Sequence, residues 1–166
     1  MEAADSIAGL RTHCSVSITS EPMVTQVMNL SLHHIGYLVP HIDEARETYM
    51  QQFGYKIHSP VIHDPVQTAL VQFLRLPADS SYLELISPAG EQSRLSAALA
   101  KGGGLNHLCY RTTDLDAEIA RMRSSGLLLL RKPVPAVAFG GRRIAWMRGQ
   151  EPFPIELVEA GNEGEL

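Results

Sequence analysis

This sequence lacks the features of secreted, membrane-spanning and nucleic-acid-binding proteins. Its 166 residues include only two cysteines, Cys14 and Cys109, which cannot form a disulfide framework and fit a reducing compartment. No apolar run reaches the roughly 18–20 residues that a membrane span needs, and the first residues, with Glu2 and Asp5, contain no apolar signal segment. The net charge is −4 and no basic cluster is present. We therefore expect a cytoplasmic protein without nucleic-acid or membrane partners.

The polarity of the chain predicts one domain between two tails. The first residues are polar and short of apolar periodicity, which indicates a flexible N-terminal tail. Three consecutive glycines, Gly102 to Gly104, interrupt the remaining pattern near its middle. We predict a tail over 1–30, a single domain over 31–160 with modules at 31–90 and 104–160, and a C-terminal tail over 161–166.

Both modules show the same order of apolar patterns. A strand-like run is followed by a helical spacing of apolar residues and then by three further strand-like runs. The strands of the first module are predicted at 30–39, 55–62, 67–76 and 81–86, and those of the second at 105–112, 127–132, 142–147 and 154–159. A short additional helix is predicted at 91–101. The pattern predicts an α+β fold built from two tandem βαβββ modules.

The repeat is also visible in individual residues. The segment His34-Ile35-Gly36-Tyr37 matches His107-Leu108-Cys109-Tyr110 at an offset of 73 residues. Near the module ends, Tyr82-Leu83-Glu84-Leu85-Ile86 matches Pro154-Ile155-Glu156-Leu157-Val158 at an offset of 72 residues. One histidine and one glutamate thus occupy equivalent places in each half.

These four polar residues lie in apolar strands, where an uncompensated carboxylate is very costly. Taken singly, each could be a hydrogen-bonded core residue. The repetition favours a common site, because a divalent cation would compensate Glu84 and Glu156 together, with His34 and His107 as further ligands. Two imidazoles and two carboxylates without a thiolate differ from a structural zinc site and suit one Co, Ni, Mn, Zn, Fe or Mg ion with open coordination positions.

The motifs around these residues resemble the vicinal oxygen chelate superfamily, which includes glyoxalase I, methylmalonyl-CoA epimerase, extradiol dioxygenases and bleomycin-resistance proteins. The resemblance covers about 30–160, and its carriers are Leu32-His33-His34-Ile35-Gly36-Tyr37, Tyr82 to Pro88, Gly104 to Leu108 and Pro154 to Leu157. It implies paired βαβββ modules whose curved sheets enclose a metal-binding cleft. It also implies that His34, rather than His33, is the ligand.

Within the superfamily, the sequence is most similar to methylmalonyl-CoA epimerase-like proteins. The matching features are Ser87-Pro88, the glycine-rich approach to His107, and Gly140-Gly141-Arg142-Arg143-Ile144. The resemblance implies an isomerase or epimerase that stabilises the enolate of a carboxylated acyl-CoA or related small substrate, with two bases on opposite faces. It also implies a homodimer.

One departure from the epimerases concerns a base. Their second, non-ligand carboxylate falls at or near Gln67, and a glutamine side chain cannot accept the proton. We predict catalytic roles for Glu156, as one base, and for Gln67, as a polar group that orients the substrate in the cleft. Arg143 and Phe139 are predicted to bind substrate as well, whereas Trp146 is interpreted mainly as a core residue.

Three other functions stay open at this level. A glyoxalase-like lyase would use the same kind of metal-ligand set. An Fe(II) extradiol-type dioxygenase needs two histidines and one carboxylate, so Glu84 would occupy a position that its chemistry requires. A non-catalytic module that binds a small molecule such as an antibiotic would need no metal ligands, which disfavours it here.

Overall fold

The computed structural model describes residues 29–162 and residue 166. The predicted N-terminal tail lies almost entirely outside this range. The elements, in chain order, are β1 (Leu30–Leu38), α1 (Ile42–Phe53), β2 (Lys56–Ile57), β3 (Ile62–Asp64), β4 (Ala69–Arg75), β5 (Tyr82–Pro88), α2 (Ser96–Leu99), β6 (Gly104–Thr112), α3 (Leu115–Ser124), β7 (Leu128–Pro135), a 3-10 helix (Val137–Phe139), β8 (Arg143–Arg148) and β9 (Ile155–Glu159). No helix among these residues is long and apolar enough to cross a membrane.

The nine strands of the described residues belong to one sheet, in the order β2-β4-β5-β1-β6-β9-β8-β7, with β3 paired to β4. In each module the first strand runs parallel to the last: β1 pairs with β5, and β6 pairs with β9. The modules join through the antiparallel pair of β1 and β6. The predicted α+β fold of two tandem modules around a curved sheet is confirmed.

The alternation of side chains along the strands separates two faces of the sheet. On the outer face, α1 packs against Leu74, Leu83 and Leu85, and α3 packs its own buried residues against Met147 and Leu157. The inner face carries a different apolar cluster, which includes Phe73, Tyr82, Phe139, Ile144 and Val158. Because both helices cover the outer face, the inner face is available for a cleft.

Two predicted elements differ from the observed ones. The strand expected at 55–62 is divided into β2 and β3, because Ser59 and Pro60 interrupt the ladder: Phe73 N donates to Ser59 Oγ at 3.0 Å, and proline has no N–H to donate. The helix expected at 91–101 is reduced to α2, because Ser93 Oγ donates to Thr68 O at 2.6 Å and holds this segment against the turn between β3 and β4.

Candidate metal centre and cleft

The strand register brings the four predicted ligands to the inner face. Gly36, which lies two residues after His34 in β1, pairs with Glu84 of β5. In the same way Cys109, which lies two residues after His107 in β6, pairs with Glu156 of β9. A step of two residues returns to the same face of a strand, so each histidine shares a face with the glutamate of its own module. The antiparallel pairing of β1 with β6 then places Gly36 opposite His107 and brings the two modules' residues together.

The four side chains meet closely at this seam. Nε2 of His34 lies 2.8 Å from Nε2 of His107. Glu84 Oε2 is 3.3 Å from each of these nitrogens, and Glu156 Oε2 is 3.3 Å from that of His34 and 3.4 Å from that of His107. All four residues are buried. The structure therefore brings ligand atoms of His34, Glu84 and His107 within 4.8 Å of one another and places Glu156 against both histidines.

The donor set fits a divalent metal ion. Ligand bonds of about 2.1 Å separate neighbouring ligand atoms by roughly 3.0–3.4 Å in octahedral or tetrahedral coordination, which is close to the distances from each carboxylate oxygen to the two imidazole nitrogens. Buried Glu84 Oε2 has no hydrogen-bond partner among the described residues, although two imidazole nitrogens lie nearby. Such an unsatisfied carboxylate oxygen is explained by a bound cation.

Protonation compensates the carboxylates when the metal is absent. Burial lowers the pKa of His107, yet the adjacent carboxylates of Glu156 and Glu84 raise it to about 9. The pKa of His34 is also raised by the charge of Glu84 despite its burial. Burial would raise the pKa values of Glu84 and Glu156, but the adjacent imidazoles hold both below the usual range. A dication can replace these protons because it supplies the same positive charge.

Two neighbouring polar side chains orient the histidine ligands. Nδ1 of His34 lies 2.8 Å from Nδ1 of His33, and Nδ1 of His107 lies 2.9 Å from Oδ1 of Asn106. Burial, together with the charge of His34, lowers the pKa of His33 to about 3, so His33 is neutral and can accept a hydrogen bond. With a proton on each ligand's Nδ1, both Nε2 lone pairs face the centre.

A cleft opens beside the metal centre. It has a volume of about 50 Å³, and Glu84, His107 and Glu156 form part of its wall. Gln67 and Phe139 also line it, which places both at the location predicted for substrate-binding residues. Gln67 belongs to the turn between β3 and β4, not to a strand as expected.

The cleft also contains residues that the sequence patterns do not place there. Trp146 lines the wall, its ring centroid 4.8 Å from that of His107, and its buried Nε1 has no partner among the described residues. Asn106 and Asp64 line the cleft as well. The position of Asn106 immediately before His107 is the one sequence signal that could have identified it.

Arg143 is located away from the cleft. Its guanidinium donates to Glu159 Oε1 at 2.8 Å and to Asp116 Oδ2 at 3.0 Å, and it is not among the residues that line the cavity. These two carboxylates already compensate its charge. The structure thus assigns Arg143 to an ion-pair network between β8, β9 and α3, rather than to the substrate site predicted from the sequence.

Comparison with known proteins places this geometry in a family. Residues 33–146 match the Glyoxalase/Bleomycin resistance protein/Dioxygenase superfamily, and the chain belongs to that superfamily. The chain is 28% identical over 130 residues to the ethylmalonyl-CoA/methylmalonyl-CoA epimerase of Cereibacter sphaeroides, an alignment that covers 77% of this chain and 94% of the relative. It is 27% identical to the mitochondrial methylmalonyl-CoA epimerase of Bos taurus, with 76% and 72% of the two chains covered.

The similar solved structures include further methylmalonyl-CoA epimerases. The methylmalonyl-CoA epimerase of Mycobacterium tuberculosis superposes with a TM-score of 0.71 at 29% identity, covering 80% of this chain and 89% of its own. A variant of the Streptomyces coelicolor enzyme in complex with 2-nitronate-propionyl-CoA superposes with a TM-score of 0.70 at 27% identity, with 80% and 95% covered. The predictions of the superfamily and of an epimerase-like, metal-dependent enzyme are confirmed by these relatives.

Proposed function

We propose that this protein epimerises a carboxylated acyl-CoA thioester, with methylmalonyl-CoA as the first substrate to test. The observation that carries the proposal is the convergence of His34, Glu84, His107 and Glu156 beside a cleft. The similarity to methylmalonyl-CoA epimerases in sequence and in fold supports the substrate class.

In this proposal the two histidines and two glutamates hold one divalent ion, for which the ligand atoms suit Co, Ni, Mn, Zn, Fe or Mg. The ion would supply positive charge where a thioester oxygen gains negative charge as the α-proton leaves, an effect worth several kcal/mol. His33 and Asn106 keep the imidazoles in the required tautomer.

The protein groups of the cleft perform the proton transfer and the positioning. Glu156 lines the cleft with its carboxylate beside both imidazoles, so it can act as a base at the reacting carbon. Trp146 Nε1 can donate to a polar substrate atom, since its buried hydrogen has no partner among the described residues. Phe139 and Val71 make part of this wall apolar.

The surroundings of the cleft support an acidic substrate of which only one end enters the cavity. A cavity of about 50 Å³ holds only a few water molecules, so it can enclose the acyl end of a thioester while the remainder lies outside. An adjoining depression shares Gln67, Leu95 and Trp146 with the cleft and adds Arg94 and Arg131. Two guanidiniums at the mouth suit carboxylate or phosphate groups.

The proposal is tested by exchange of the substrate's α-proton. The metal-loaded protein is incubated with methylmalonyl-CoA in D2O, and the α-position is followed by NMR. We expect deuterium incorporation together with interconversion of the epimers. Interconversion of the epimers should be lost in Glu156→Gln, whereas Glu151→Gln, an exposed glutamate outside the cleft, should match the wild type.

A metal-loaded wild type that exchanges no α-proton would contradict the proposal. If the same preparation then isomerised a hemithioacetal, the glyoxalase-like alternative would replace it.

A further inference from the structure

A second carboxylate in the cleft lies apart from the metal centre. Of the described residues that line the cavity, four are titratable, namely Asp64, Glu84, His107 and Glu156. His107 supplies an imidazole nitrogen to the metal centre. Glu84 and Glu156 each have a carboxylate oxygen 3.3–3.4 Å from that nitrogen. Asp64 is therefore the one lining acid or base, within the described part of the chain, that is not committed to the metal centre.

Asp64 is buried without a compensating cation. Its exposed fraction is 4%, and no described residue forms an ion pair with it. Among the described residues, its carboxylate accepts one hydrogen bond, which the backbone N of Gln67 donates to Oδ1 at 2.9 Å. One oxygen of the carboxylate thus shapes the turn, and the other is available to the cleft.

The fold holds this carboxylate firmly. Asp64 ends β3 opposite Ala69 of β4, and the turn that follows includes Thr68, whose φ is +56°. A non-glycine residue in this left-handed conformation persists only where its surroundings fix it. Here Thr68 O accepts from Ser93 Oγ, and Thr68 Oγ1 accepts from Arg94 N, so the loop before α2 secures the turn.

We propose that Asp64 is the base on the substrate face opposite Glu156, a role that Gln67 cannot perform. This inference rests on the proposed epimerase function. In one direction the α-C–H bond breaks and its proton passes to the Asp64 carboxylate, while protonated Glu156 forms the new C–H bond on the other face. In the reverse direction the two roles are exchanged. Exchange of both acids with water restores the starting protonation, so the net reaction only inverts the carbon.

Asp64→Asn separates this role from the turn, because the amide oxygen can still accept from Gln67 N while the side chain cannot accept the α-proton. Epimerisation should fall roughly 10²–10⁴-fold. The α-proton of one epimer should still exchange with D2O through Glu156, whereas that of the other epimer should not. Metal content should match that of the wild type. Thioester binding, which is followed by the fluorescence of the single tryptophan Trp146, should also be unchanged.

Three further variants complete the design. Asp79→Asn makes the same change at an exposed aspartate and should retain full activity. Asp64→Ala removes the turn hydrogen bond as well and should lower the melting temperature, which Asp64→Asn should not. Asp64→Asn combined with Gln67→Glu returns a carboxylate to the same turn and should recover at least about tenfold of the lost epimerisation.

Either of two results would overturn the inference. The first is an epimerisation rate of Asp64→Asn within about threefold of the wild-type rate. The second is a loss of bound metal, thioester binding and thermal stability in Asp64→Asn as large as that in Asp64→Ala. A wild type without any α-proton exchange would instead refute the epimerase function on which the inference rests. An active wild type with an active Asp64→Asn variant refutes the role of Asp64 alone.

Discussion

At the scale of single residues, the absence of a side chain at Gly36 makes room for a metal ligand. A Cβ atom at this position would lie 2.3–2.8 Å from three atoms of the His107 ring. No real Cβ makes contacts this short, so the imidazole would have to move away from His34 and the two carboxylates.

Gly36→Ala should therefore weaken metal binding by about tenfold or more, the scale reported when ligand-orienting groups are lost. Isothermal titration with Co²⁺ measures the change. Gly149→Ala is the matched control, because its Cβ would meet Leu127 at an ordinary 3.5 Å. Unchanged affinity in Gly36→Ala would show that His107 is not fixed as described.

The protons at the centre predict how stability responds to pH. The pKa of His107 is raised from 6.5 to about 9 in the folded, metal-free protein by Glu156 and Glu84, against the effect of its burial. A raised pKa means that the stabilisation is complete below pH 6.5 and is lost as the pH rises through about 9. A metal ion replaces the proton and removes this loss.

The melting temperatures of the metal-loaded and metal-free forms should thus diverge between pH 6.5 and 9. Differential scanning calorimetry across this range measures the gap. His41→Ala, at an exposed histidine, should reproduce the wild-type divergence. A gap that stays constant with pH would contradict the protonation described for the metal-free site.

The sequence predicted the ligands better than it predicted their neighbours. An internal repeat singled out His34, Glu84, His107 and Glu156, because equivalent positions in two modules converge at one seam. Asp64 has no such partner in the second module, and Trp146 has the amphipathic character of many core residues. Their places depend on how the sheet curves, which a local pattern does not encode.

At the scale of elements, the two long helices begin differently. Asp114, before α3, accepts a hydrogen bond from Ala117 N at 2.9 Å. His41 occupies the equivalent position before α1 and forms no capping bond through its side chain. The first backbone N–H groups of α3 are therefore better satisfied by a side chain.

Asp114→Ala should lower the free energy of unfolding by about 1 kcal/mol, as measured by urea denaturation of the metal-loaded protein. His41→Ala should change it little. Metal content should be unaffected in both, because neither residue lines the cleft. Equal destabilisation by the two substitutions would refute the capping role of Asp114.

The elements that were predicted incorrectly share one cause. β2 and β3 are separated where Ser59 takes over a ladder contact, and the predicted helix before the glycines is shortened where Ser93 and Arg94 contact Thr68. In both places a hydrogen bond to a residue distant in sequence outweighs the local pattern. Such bonds depend on the assembled sheet and leave no periodic signal.

At the scale of the whole molecule, the metal centre is a property of the seam between modules. Each module supplies one histidine and one glutamate, and neither half contains the full set. The tandem arrangement within one chain follows from the repeat in the sequence. The homodimer and the cytoplasmic location stay predictions, and sedimentation equilibrium of the metal-loaded protein would test the first.

The central claim, one metal ion held jointly by both modules, is tested most directly by metal content. The native protein and the variants Glu84→Ala and His107→Ala, one from each module, are purified, reconstituted and analysed by mass spectrometry of bound metals. We predict about one ion per native chain and a large loss in both variants. A native protein that binds no metal after reconstitution, or variants that keep the full content, would contradict the account.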